Sequence, residues 1–92
     1  MQKTSAVITV NGQDKVGIIS TVSSTLSENN VNIVNITQTI MQSFFTMVMM
    51  VDISEMNTDF EALAKELEAA GDELGIQVRI QHEAIFNSMH RL

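Results

Sequence analysis

The sequence predicts an α+β fold, a ferredoxin-like βαββαβ sandwich with a four-stranded antiparallel sheet and two helices on one face. Three observations lead there. β-Branched runs of strand period flank two stretches of helical apolar spacing. The middle two runs are separated by only two residues, which forces an antiparallel hairpin. Each helix stands between two strands, and right-handed crossovers put both helices on the same side of the sheet. The expected strand order is 4-1-3-2.

In strand one, Ala6, Ile8 and Val10 alternate with Val7 and Thr9, and Asn11-Gly12 is expected to end the run. Helix one follows from Val16, with Ile18, Ile19, Val22 and Leu26 at helical spacing, Asp14 placed to cap it and Glu28-Asn29-Asn30 to stop it. Strand two, Val31 to Met41, alternates imperfectly but is rich in β-branched residues. Gln42-Ser43 is the turn into strand three, Phe44 to Ile53. Thr58-x-x-Glu61 reads as a capping box for a long acidic helix whose buried stripe is Phe60, Leu63, Leu67 and Leu74, ending at Gly75. Ile76, Val78 and Ile80 alternate as strand four, and Glu83 to Arg91 returns to helical spacing through Ile85, Phe86 and Met89.

The 92 residues are expected to form a single domain, with a core over residues 4–82 and a helical tail over 83–92. A chain of this length buries roughly 60 to 65% of the surface its unfolded form exposes, so self-association would add useful stability. It contains no cysteine, which excludes disulfides, thiolate nucleophiles and thiolate-bound metal. The net charge of −6 opposes phosphate backbones, so neither nucleic acid nor an anionic membrane is an expected partner. Seven of the eleven carboxylates fall between Glu55 and Glu73, so the charge belongs mainly to the second helix, as a solvated face. With no secretory or membrane-spanning segment in view, a cytoplasmic location is expected.

Strand three is apolar on both pleat faces, interrupted only by Thr46, so the sheet face away from the helices needs a cover. Either the tail helix or a second subunit can provide it. The methionines at 41, 47, 49 and 50 are assigned to core packing.

Asp14-Lys15-Val16-Gly17-Ile18, then Leu26, then Val31-Asn32-Ile33, resembles the signature of ACT domains, which are ferredoxin-like regulatory modules. The resemblance covers about residues 4 to 82. The continuation Ala84-Ile85-Phe86-Asn87-Ser88-Met89 is similar to the short stand-alone ACT proteins of bacteria, which carry no attached enzyme. In that family the loop between strand one and helix one often binds an amino acid, commonly where two domains join side by side through strand one and helix one. The resemblance implies a pocket lined by Gly12, Gln13, Asp14 and Gly17, with Asn32 facing it. Many members have proline immediately before that glycine, and here the residue is Val16.

The chemistry of this segment suits such a ligand. A glycine-bearing turn that opens a helix presents backbone N–H groups at the positive end of the dipole, where a carboxylate is favoured. Lys15 adds a cation, and Asp14 with the Asn32 amide offers acceptors for an ammonium group. The full candidate set is Asn11, Gly12, Gln13, Asp14, Lys15, Gly17, Ile18 and Asn32. The plainer alternative is that Asp14 only caps the helix, Gly17 only permits close packing, and Asn32 only completes a turn.

No catalytic constellation, cofactor motif or metal site is expected. His82 and His90 stand about 12 Å apart along a helix, too far to share one ion, and read as surface residues. No serine sits in a Gly-x-Ser-x-Gly elbow, and no phosphate-binding loop occurs. Helix one carries no charge from Val16 through Ser27, which suits burial against a twin in a two-fold homodimer. The function expected is therefore a non-enzymatic regulatory domain binding a small amino-acid-like effector at a dimer interface. The alternative is a protein-interaction module that docks onto an enzyme or regulator through the open sheet face or the tail, without a ligand of its own.

Overall fold

The computed structural model describes residues 4–13 and 16–84. The elements run β1 (Ser5–Gln13), α1 (Ile18–Glu28), β2 (Asn32–Met41), β3 (Phe44–Asp52), α2 (Phe60–Leu74) and β4 (Gln77–His82). The sheet has the order β2-β3-β1-β4 with every neighbouring pair antiparallel, which is the expected order read from the other edge. Of the expected tail helix, Glu83 and Ala84 take helical conformation and the rest lies outside the described residues.

One face of the sheet carries the core. Ala6, Ile8 and Val10 of β1, Phe45, Met47, Met49 and Val51 of β3, and Val78 of β4 pack against Ile18, Val22 and Leu26 of α1 and Leu63 and Leu67 of α2. These are the period-two and helical-period positions of the sequence, so apolar burial drives both element types at once. Met41 and Met50 depart from the expected core assignment. Met41 is 68% exposed at the hairpin, and Met50 is half-buried on the opposite face of β3.

Both helices stop by the same device. Val31 N–H donates to Leu26 O at 2.9 Å and Asn30 N–H to Ser27 O at 3.1 Å, with Asn30 left-handed at φ 59°. At α2, Ile76 N–H donates to Gly71 O and Gly75 N–H to Asp72 O, with Gly75 at φ 72°. Each pair of bonds satisfies carbonyls that a helix end otherwise strands. The start of α2 corrects the capping-box reading by one residue. Asp59, not Thr58, is the cap, its Oδ1 accepting from Ala62 N–H at 2.7 Å.

β2 contains a bulge between Ile33 and Asn35, which explains its imperfect alternation. The extra residue places Ile36, Gln38 and Ile40 opposite Met49, Met47 and Phe45, on the helix side. The Gln42-Ser43 turn forms as expected, with Gln42 at φ 56°.

Two expectations about edges change. β1 does not end at Asn11-Gly12 but runs through to Gln13. It also lies between β3 and β4, hydrogen-bonded on both sides, so it has no free edge through which two copies could join side by side. Among the described residues the outer strands of the sheet are β2 and β4.

Candidate functional site: the amino end of α1

The link from β1 to α1 sits at the end of the sheet where Gln13 registers with Phe44 and Phe44 with Met41. Gly17 is the N-cap of α1, at φ 94° and ψ 0°, with no side-chain cap bond among the described residues. Asp14, the expected cap, and Lys15 lie outside the described residues. Gly17 O accepts the first helical bond from Thr21 N–H at 2.9 Å and also accepts from Ser20 Oγ at 3.2 Å. Among the described residues, a Cβ built on Gly17 would meet only Ser20 Oγ, at 3.9 Å.

The first turn of α1 holds no acidic residue. Its N–H groups and the partial positive charge of the dipole are therefore not offset by a carboxylate of that turn. Val16, immediately before the cap, is 99% exposed, and Ile19 and Ser20 are exposed beside it. Sequence reasoning missed the exposure of Val16 and Ile19. An apolar run that begins a helix reads as buried, yet the helix phase sends Ile18 and Val22 inward and leaves Ile19 out.

The remaining candidates scatter. Ile18 is 2% exposed and packs in the core, so its side chain lines nothing accessible. Gly12 lies within β1, where an added Cβ would stand 2.6 Å from Ile76 Cγ2 and 3.1 Å from Ile76 Cα; it serves close packing. Asn11 faces the sheet side away from the helices, its Oδ1 accepting from Thr46 Oγ1 at 3.3 Å. Gln13 is exposed at the end of β1. Asn32 registers with Asp52, and Asp52 with Ser5, the opposite end of the sheet from Gln13. At ~3.3 Å per residue, the eight steps from Ser5 to Gln13 along the nine-residue β1 separate the two ends by about 26 Å. Within one chain, Asn32 and Gly17 do not meet.

No metal centre accompanies this corner: no group of three or more His, Cys, Asp or Glu that could hold an ion occurs among the described residues. His82 is not the free surface histidine expected, because its ring stacks on Phe60 at 4.1 Å between centroids and 14° between planes. His90 lies outside the described residues. No described helix is long and apolar enough to cross a membrane.

The sequence pattern of the ACT domain family matches residues 4–81 of the chain. The chain belongs to the ACT domain family. It is 56% identical over 86 residues to a UPF0237 protein of the archaeon Methanocaldococcus jannaschii, covering 94% of this chain and 96% of that one. Among solved structures it is similar to an ACT domain protein from Streptococcus pneumoniae, with a TM-score of 0.79 and 40% identity, covering 97% of this chain and 100% of that one. The regulatory subunit of aspartate kinase from Thermus thermophilus shares the fold, with a TM-score of 0.65 at 22% identity over 85% of this chain and 50% of that one. The S. pneumoniae match shows the ACT fold standing as a whole chain, and the T. thermophilus match shows it as half of a larger one.

Proposed function

We propose that this ACT domain is a non-enzymatic regulatory module of the cytoplasm that binds a small amino-acid-like effector at the seam between two copies. The observation that carries the reading is the amino end of α1. Gly17 opens the helix in a left-handed conformation, no carboxylate sits in the first turn, and among the described residues no side chain caps the helix and a Cβ on Gly17 would meet only Ser20 Oγ. A ligand carboxylate satisfies the free N–H groups and gains from the dipole, an effect of about 0.3 to 1 kcal/mol for an exposed pair. The aspartate kinase subunit that shares the fold is itself described as regulatory, which is consistent with the same class of role here.

The seam we propose is the β2 edge with the adjoining outer face of α1. β2 carries no Lys, Arg, Asp, Glu or Pro, the residues that protect an exposed edge from pairing. Its helix-side residues Ile36 and Ile40 are exposed, as is Ile19 on α1. Antiparallel pairing of two β2 strands about a two-fold axis lays the partner's Asn32 beside the Met41 end of this chain. That is the end at which α1 begins. The distance between Asn32 and Gly17 within one chain is then bridged across the seam, and neither copy completes the pocket alone.

Isothermal titration with a panel of amino acids tests this. Saturable binding of at least one of them, lost in Gly17→Ala and retained in Asn11→Ala, is the expected result; flat titrations across the panel reject it. A ligand held by both copies also stabilises the dimer, by about 2.7 kcal/mol at a hundredfold excess over its dissociation constant.

A further inference from the structure

β2 pairs with β3 without a break from Asn35↔Met50 to Met41↔Phe44, and before that the ladder slips once, between Ile33 and Asn35. Val34 is the extra residue of that bulge, and it is 54% exposed. A bulge in an outer strand interrupts the row of N–H and C=O groups with which another strand would pair. At the other end Gln42, at φ 56°, turns the chain into β3. Between the bulge and the turn lies an even edge of seven residues, 35–41. All seven are exposed and none is charged.

Such an edge admits a second copy in few ways. An antiparallel pair about a two-fold axis normal to the sheet keeps the helices of both copies on one side, so residues that face the helices must lie opposite each other. A slip of one residue turns every side chain to the wrong face, which leaves only steps of two. Ile36, Gln38 and Ile40 are the helix-side residues, registered with the core residues Met49, Met47 and Phe45. With the axis at Gln38, all seven even residues find a partner. With the axis at Thr37 the bulge enters the ladder, Val34 falls opposite the partner's Ile40, and five even pairs remain. With the axis at Thr39 the turn enters instead, Gln42 falls opposite the partner's Ile36, and again five remain.

We propose that the bulge at Val34 pins the register of the β2 seam and sets its two-fold axis at Gln38. This rests on the seam proposed above and fixes which residues meet in it. On the helix side Ile36 lies opposite the partner's Ile40, and Gln38 opposite the partner's Gln38. On the other face Thr37 lies opposite the partner's Thr39, and Asn35 opposite the partner's Met41. β-Branched residues thus meet β-branched residues, a cross-strand pairing that stabilises a ladder. Both exposed isoleucines of the edge are matched at once. The even ladder ends at Met41, and one residue further on the partner's Val34 stands beside Gln42. Each end of the seam therefore receives a valine from the other copy, at the end of the sheet where α1 begins.

The chain has no cysteine, so single introduced thiols read this register directly. Residues directly opposite lie about 4.5 to 5.5 Å apart between Cα atoms, within the roughly 7 Å reach of a disulfide. In oxidised glutathione, Gln38→Cys is expected to form a covalent dimer at a rate roughly tenfold that of Thr37→Cys or Thr39→Cys, each of which stands about 8 Å from its own twin. Thr37→Cys mixed with isotope-labelled Thr39→Cys is expected to link as the heterodimer, identified by its mass. Fastest linkage of Thr37→Cys or Thr39→Cys alone would move the axis, overturning the register while leaving the seam in place. No linkage in any variant, beside a wild-type dimer seen by native mass spectrometry, would put the interface on another surface and overturn both. A wild-type chain that stays monomeric would overturn both as well.

Discussion

Gly12 and Ile76 approach so closely that a single added methyl group would lie 2.6 Å from Ile76 Cγ2 and 3.1 Å from its Cα. The contact locks the end of β1 against the junction between α2 and β4, just ahead of the loop that leads to α1. Gly12→Ala forces either the backbone of Ile76 or that of β1 to shift, and overpacking of this kind costs about 1 to 3 kcal/mol. The midpoint of urea unfolding is expected to fall with an unchanged slope.

Gly17 has the opposite character: an added Cβ would meet only Ser20 Oγ among the described residues, but the backbone is one that L side chains rarely adopt. Gly17→Ala is expected to cost about 1 to 2 kcal/mol from the left-handed conformation. It also places a methyl group where the ligand carboxylate would lie. Gly17→Asn, which tolerates this backbone region, is expected to recover most of the stability while still lowering affinity. Thermal melts with and without ligand separate the two effects.

Asn29 joins the two helices. Its Nδ2 donates to Thr25 O at 2.8 Å and to Glu66 Oε2 at 2.7 Å, and the side chain is buried while Glu66 is exposed. Removing the amide breaks a charge-assisted bond and the brace between α1 and α2. Asn29→Ala is expected to destabilise by about 1.5 to 3 kcal/mol. Glu66→Ala is expected to cost less, since Asn29 keeps its bond to Thr25 O. Chemical denaturation of both variants checks the order.

Charges on the β2 edge test the seam directly. Ile36→Lys together with Ile40→Lys places four like charges across a two-fold interface and caps an edge that lacks any. The dimer dissociation constant is expected to rise at least tenfold, about 1.4 kcal/mol, with the fold retained because both positions are already exposed. Light scattering across a dilution series reads this.

Most of the fold was legible because burial leaves two periods in the sequence and a two-residue turn leaves one pairing. Ala6, Ile8 and Val10 announce a strand, Leu63 and Leu67 a helix, and Gln42-Ser43 joins Met41 to Phe44. The site was less legible. Gly12 and Gly17 look alike as residues, and what separates them is the closeness of Ile76, which is remote in the chain, and one backbone angle. Asn32 carried a family role without its position, because the register that sends it to the far end of the sheet is a property of the ladder. The predicted order 4-1-3-2 already placed strand one inside the sheet, so side-by-side joining through it was incompatible with that order. Thr58 and Asp59 are both good caps, and only the bond to Ala62 N–H distinguishes them.

Native mass spectrometry of the intact protein, titrated with the amino acid that binds best by calorimetry, tests the shared pocket most directly. The account predicts ligand adducts on the dimer and none on the monomer, with the dimer fraction rising as ligand is added. Adducts of equal occupancy on monomer and dimer, or a dimer fraction indifferent to ligand, would contradict it.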